Sequence, residues 1–159
     1  MIEIRRAVPG DAGTLAALAY ALNQHFGIDE PAFTADAIAP LMGGGDPFMV
    51  GYLAEADGVA VGYALCQKFF DTDTGTMATW LLDLYVDPNH RSGGLGRRML
   101  AQVASDAQKK GQRCVGLAVY RDNPARRLYD RIGAALSPEA LVYELRDENL
   151  DSLAQEAQL

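Results

Sequence analysis

Leu81-Leu82-Asp83-Leu84-Tyr85-Val86-Asp87-Pro88-Asn89-His90-Arg91-Ser92-Gly93-Gly94-Leu95-Gly96-Arg97-Arg98-Met99-Leu100 is the stretch that decides how this chain folds. It opens on an apolar run of strand formers, is stopped by Pro88, and passes through a glycine-rich turn. Beyond Gly96 the apolar residues Met99, Leu100, Val103, Ala104 and Ala107 recur at helical spacing. Strand, glycine turn and helix in that order expose several backbone N–H groups at the positive end of the helix, which accepts phosphate without a lysine. Arg91, Arg97 and Arg98 flank the turn and add charge suited to a polyphosphate. An anion is expected to bind here, the pyrophosphate of a cofactor first among the candidates. The competing reading is a plain strand–helix turn whose glycines serve only backbone conformation.

The turn does not name its ligand. Gly93, Gly94 and Gly96 lack the third spaced glycine of the dinucleotide fingerprint G-x-G-x-x-G. No Gly-Lys-Ser/Thr occurs, so a P-loop is excluded as well.

Working outward, 159 residues suffice for one domain with a real core, and no linker or internal repeat divides them. Residues 1–147 read as that domain and 148–159 as a tail, frayed or a short helix with Leu150, Leu153 and Ala157 on one face. A formal charge of −7 and a sequence pI near 4.7 argue against nucleic acid as partner and suit a cationic small substrate. No apolar run approaches membrane length and no apolar leader opens the chain, so a cytoplasmic protein without membrane contact is expected. Cys66 and Cys114 sit in apolar, strand-like contexts without ligand spacing. They read as buried small hydrophobes in a reducing compartment, and no metal site is expected.

Before the decisive stretch, residues 1–7 read as an edge strand, and Asp11 as the N-cap of a helix running to about Phe26. A second helix is expected over 35–42, then a loop at Gly43-Gly44-Gly45-Asp46-Pro47. Strands follow over 48–55 and 59–70, joined by the hairpin signal Asp57-Gly58, and over 77–86. After the glycine turn come a helix over 94–110, a central strand over 114–120, a helix over 125–131 and a last strand over 141–145. The order β-α-α-β-β-β-α-β-α-β describes an α+β domain with a central mixed, mostly antiparallel sheet flanked by helices. Its strands are parallel only across the strand–helix–strand unit after the turn.

Motif and order together resemble the GCN5-related N-acetyltransferase (GNAT) family over essentially the whole chain. Arg91, Gly94 and Gly96 are similar to that family's Arg-x-x-Gly-x-Gly coenzyme A loop. Asp122-Asn123-Pro124-Ala125-Arg126-Arg127-Leu128-Tyr129 is similar to its asparagine-x-x-alanine helix, with Ala125 and Tyr129 in register and the asparagine slot on Asp122, one residue before Asn123. Arg6-Ala7, Asp46-Pro47-Phe48, Leu84-Tyr85-Val86 and residues 132–137 look most like diamine (spermidine/spermine-type) acetyltransferases. Those carry a glutamate where this chain has Leu82, which leaves Asp83 as the strand's carboxylate.

The resemblance implies acetyl-CoA as cofactor, held by Leu84, Tyr85, Val86, Arg91, Ser92, Gly93, Gly94, Leu95, Gly96, Arg97, Asp122, Asn123, Arg126 and Tyr129. It implies transfer to a primary amine of a small molecule by direct attack on the thioester, and a homodimer. The alternatives are a non-catalytic acyl-CoA-binding or sensory domain, and an acetyltransferase acting on a protein amine. An alkyl ammonium must lose its proton before it attacks, and Asp83 is the candidate to bind or deprotonate it; a solvated strand carboxylate is the other reading. Strand alternation puts Tyr85 and Asp87 on the face of Asp83, opposite Leu82, Leu84 and Val86. Main-chain N–H groups of Leu84 to Val86 would polarise the carbonyl and the Tyr129 phenol would protonate the leaving thiolate. A core-packing Tyr129 is the competing assignment. His25, Asp29 and Glu30, at the end of the first helix, are candidates for the acceptor side.

Overall fold

A computed structural model describes residues 1–157. The elements are β1 (Ile2–Arg6), α1 (Ala12–His25), α2 (Ala35–Ile38), β2 (Met49–Ala56), β3 (Val59–Asp71), β4 (Thr76–Val86), α3 (Leu95–Lys109), β5 (Val115–Leu117), α4 (Arg126–Arg131) and α5 (Asp147–Glu156). The strands form one sheet in sequence order, antiparallel from β1 through β4 and parallel between β4 and β5. The expected mixed α+β architecture with one parallel pair is borne out.

Each turn has a local cause. Asp57 (φ 51°) and Gly58 (φ 82°) both take left-handed angles, which a two-residue hairpin with matching strand twist requires. Gly27 (φ 77°) ends α1 and Gly111 (φ 74°) ends α3. Asp11 does not cap α1 with its side chain. Its carboxylate is held instead by Arg5 (2.8 and 2.9 Å) and by the Val8 N–H (2.8 Å), and Arg5 also reaches Glu55 (2.8 Å). That ion cluster ties β1, the first turn and β2 together.

The sheet separates two apolar cores. On the α1 face Leu15, Ala19, Ile38 and Met42 pack against Leu53, Tyr63, Leu65 and Tyr85. On the α3 face Leu95, Met99, Leu100 and Val103 pack against Tyr52, Ala64, Cys66 and Leu81. Burial of the order of 25 cal/mol per Å² of apolar surface on both faces is what fixes the register. Cys66 is buried as expected, and desolvation pushes its thiol up to about 12. Cys114 is exposed, against expectation, because β5 begins only after it.

Two further expectations fail. The strand over 114–120 shortens to Val115–Leu117 and is the sheet's edge, with Tyr120 exposed, because the chain leaves the sheet after Leu117. The strand over 141–145 does not form. Residues 141–145 have strand-forming side chains but no neighbouring strand to bond, and Val142 and Tyr143 are 78% and 88% exposed. The tail takes the form of a short helix, α5, as far as Glu156, with Leu150 and Leu153 facing solvent; residues 158–159 of that expectation lie outside the described residues.

Candidate active site

The site lies where β4 outruns β5. Thr79, Trp80 and Leu81 pair with Val115, Gly116 and Leu117, and no pairing with β5 follows. On its other side β4 stays bonded to β3 up to Gly62 opposite Val86. A register shift in the β3–β4 ladder pairs Leu65 with Asp83 and Cys66 with Leu81, so Leu82 is skipped. Strict alternation therefore fails at this point. Asp83 and Tyr85 face the α1 core and Leu84 and Val86 the α3 core, but Leu81 also joins the α3 core and Leu82 is left exposed.

The Asp87 N–H donates to the Val61 carbonyl at 2.8 Å. Antiparallel alternation then turns the N–H and C=O of Leu84 and Val86 away from β3 toward the gap, and those of Tyr85 toward β3. The Val86 carbonyl accordingly accepts from Arg91 Nε at 2.8 Å. Of the three amides expected to serve an acyl carbonyl, those of Leu84 and Val86 point into the gap, and that of Tyr85 points to β3.

The glycine turn delivers the chain to α3 through Ser92 (φ 68°) and Gly94 (φ 76°). The first helical bond is Arg98 N–H to the Gly94 carbonyl. Ser92, Gly93, Gly94, Leu95, Gly96 and Arg97 have no N–H partner among the described residues. Such a row of unpaired donors at a helix N-terminus suits the diphosphate of coenzyme A. The arginines divide the work differently from the sequence reading. Arg97 is exposed at the turn, Arg91 folds back over the Tyr85 ring (5.8 Å to its centroid), and Arg98 donates to the Ile2 carbonyl (2.9 Å), which anchors β1 to α3.

Helix α4 lies against this mouth, since a Cβ built on Gly96 would stand 3.3 Å from Leu128 Cδ2. Tyr129 follows, packed against the α3 core, its hydroxyl without a partner among the described residues. Burial raises its pKa, so the phenol stays protonated at neutral pH. Asn123 Oδ1 accepts the Ala125 N–H (2.9 Å) and Arg126 donates to the Arg121 carbonyl (2.7 Å). Both side chains thus shape the entry to α4, while Asp122 stays exposed.

Asp83 is half-buried and accepts a hydrogen bond at Oδ2 from Tyr63 (2.9 Å). Burial pushes its pKa above the ordinary carboxylate range, and the Tyr63 bond opposes that rise. Tyr63 escaped the sequence reading, because its approach to Asp83 depends on the register of β3 against β4 and no local pattern encodes that register. His25 ends α1, and Asp29 and Glu30 sit on the exposed turn after it. His25 stacks edge-on with Phe26, Asp29 accepts from Tyr20, and the Glu30 carbonyl accepts from Asn23. None of the three bonds to Asp83 or Tyr85 among the described residues. Among the described residues no helix is long and apolar enough to cross a membrane.

Residues 16–134 match the model of the acetyltransferase (GNAT) family. The thialysine N-epsilon-acetyltransferase of Sus scrofa is 32% identical over 154 residues, covering 87% of each chain. A ribosomal protein bS18-alanine N-acetyltransferase of Haemophilus influenzae is 30% identical over 73 residues, 46% of each chain. Among solved structures, a predicted acetyltransferase from Clostridium acetobutylicum with acetyl-CoA superposes with a TM-score of 0.77 at 18% identity, over 91% of this chain and 97% of that one.

Proposed function

From the premise that this chain belongs to the acetyltransferase (GNAT) family, with acetyl-CoA as its acyl donor, we propose that it acetylates a primary amine of a small molecule. The observation that carries this reading is Asp83: a half-buried carboxylate with Oδ1 unbonded among the described residues, next in sequence to the gap-facing amide of Leu84. The 32% identity to a thialysine N-epsilon-acetyltransferase over most of both chains supports an aminoalkyl acceptor.

The cosubstrate supplies an acetyl thioester, activated for transfer to nitrogen. The chain's residues do the rest. The amides from Ser92 to Arg97, with the Arg97 side chain, hold the diphosphate, and the turn of Asp122, Asn123 and Arg126 borders it. Asp83 binds the acceptor ammonium and takes its proton, directly or through water. The Leu84 and Val86 N–H groups stabilise charge on the carbonyl oxygen, each worth about 3 kcal/mol of barrier when well aimed. Tyr129 would give its proton to the departing sulfur, and the second proton released by the attacking nitrogen would restore the phenol, directly or through water. Acidic Asp29 and Glu30 draw a cationic acceptor toward the α1 side, where His25 borders its path.

Thiol release with a panel of lysine-like amino acids, diamines and polyamines, and a peptide with N-terminal alanine tests the reading. Turnover with small amines above that with the peptide is expected. Turnover with the peptide alone, or with nothing, overturns it. We also assign a homodimer, since each copy carries both an unpaired strand-forming segment (141–145) and an open sheet edge at β5. A monomeric mass in solution would refute that.

A further inference from the structure

Tyr63 stands on β3, opposite Tyr85 on β4 and one strand step from Leu65, the partner of Asp83. It is fully buried, and its ring centroid lies 6.4 Å from that of Tyr85. Around it the α1 core is apolar, built from Leu15, Ala19, Ile38, Met42, Leu53 and Leu65. A phenylalanine would fill that volume as well and would bury no polar group. The hydroxyl therefore needs a reason, and its one partner among the described residues is Oδ2 of Asp83, at 2.9 Å.

We propose that Tyr63 is a positioning residue for acetyl transfer: its hydroxyl fixes the Asp83 carboxylate through Oδ2 so that Oδ1 is left to receive the acceptor ammonium. This rests on the role proposed for Asp83. A carboxylate has two oxygens and rotates readily about its terminal torsion. A single buried donor on one oxygen removes that freedom and reserves the other oxygen for the incoming N–H. It also stabilises the ionised form of a group whose burial favours the neutral one, so the base stays available at lower pH. The titratable and charged surroundings are few. Tyr63 comes from β3 and Tyr85 from β4 itself, the α1 and α2 side chains in this core are apolar, and the nearby cation, Arg91, lies over the Tyr85 ring. Neither Lys, Arg nor His bonds to Asp83 among the described residues, so the Tyr63 hydroxyl is the donor that can set its orientation.

The test is the pH profile of kcat/KM for the best amine in the panel, measured on Tyr63→Phe, Asp83→Asn and the double variant. Tyr63→Phe is expected to lower kcat/KM about tenfold at neutral pH, the order expected for losing one hydrogen bond to a charged group. It should also move the acidic limb to higher pH and leave the KM for acetyl-CoA unchanged. On the Asp83→Asn background the same change should cost nothing further. An unmoved limb with Asp83→Asn inactive overturns the role of Tyr63 alone. A fully active Asp83→Asn removes the Asp83 assignment first, and this inference with it. If Tyr63→Phe fails to fold, a fluorinated tyrosine at position 63, placed by nonsense suppression, supplies a stronger donor in the same volume. It should shift the acidic limb to lower pH, and a limb that stays in place refutes the proposal.

Discussion

Gly116 on β5 faces the indole of Trp80 on β4 so closely that a Cβ there would stand 2.7 Å from Cε3 and 2.8 Å from Cζ3. The two are paired residues of the one parallel ladder, and Trp80 is braced on its far side by Phe69, edge-on at 5.8 Å. Phe69 hinders the ring's retreat, so a side chain at 116 is expected to displace β5. Gly116→Ala should destabilise the protein by about 1–3 kcal/mol, the usual cost of overpacking, and should raise the KM for acetyl-CoA by spreading the lip of the cleft. Thermal unfolding and initial rates check both, and an unchanged Tm would mean that β5 is not held by this contact.

Gly96 stands at the first turn of α3 beneath Leu128. Gly96→Glu places a carboxylate among the donors proposed to hold a diphosphate. Coenzyme A affinity should fall at least about a hundredfold, equivalent to losing two charge-assisted hydrogen bonds. Titration calorimetry reads it directly, and retained affinity would move the coenzyme elsewhere.

Tyr129→Phe removes a hydroxyl with no structural partner among the described residues, so stability should change little. The catalytic rate should fall about 10²-fold, the low end for general acid–base assistance, with coenzyme affinity intact. A fully active variant would assign Tyr129 to packing alone.

Asp83 carries a stability signature of its own. Its pKa in the folded protein is raised above the ordinary value of 3.8, chiefly by burial. Its contribution to stability is therefore fully present below that unfolded value and is lost as pH rises through the folded one. Asp83→Asn, which is uncharged throughout, should unfold at a higher temperature than the parent at pH 7, by about 3 °C, while losing activity. The difference should close as the solution is acidified below pH 4. A lower Tm at pH 7 would show that the charge is not a burden on the fold.

The frame of this molecule was legible because its signals are local. Asp57-Gly58 marks a hairpin wherever it falls between strands, and the run from Leu81 to Leu100 carries strand, stop, turn and helix in one breath of sequence. Tyr129 and the glycine turn could be picked out for the same reason. What escaped depends on distant partners. The skip at Leu82 arises from how β3 lies against β4, and it alone decides that Leu81 joins the α3 core. Tyr63 becomes interesting only once that register puts it beside Asp83. Residues 141–145 have the composition of a strand, but a strand needs a neighbour, and β5 ends too soon to be one. Asp11 had the right residue type for a cap and was claimed by Arg5 instead.

Because the sheet stands between two separately packed cores, a change among Leu15, Ala19, Ile38 or Met42 reaches the α3 half only through strand backbone. If the acceptor enters on the α1 side as proposed, its preference would drift by edits to that wall while the wall proposed to hold the thioester is inherited intact. A laboratory seeking new amines for this scaffold should randomise α1, α2 and the turn after His25, and leave the stretch from Leu84 to Leu100 alone.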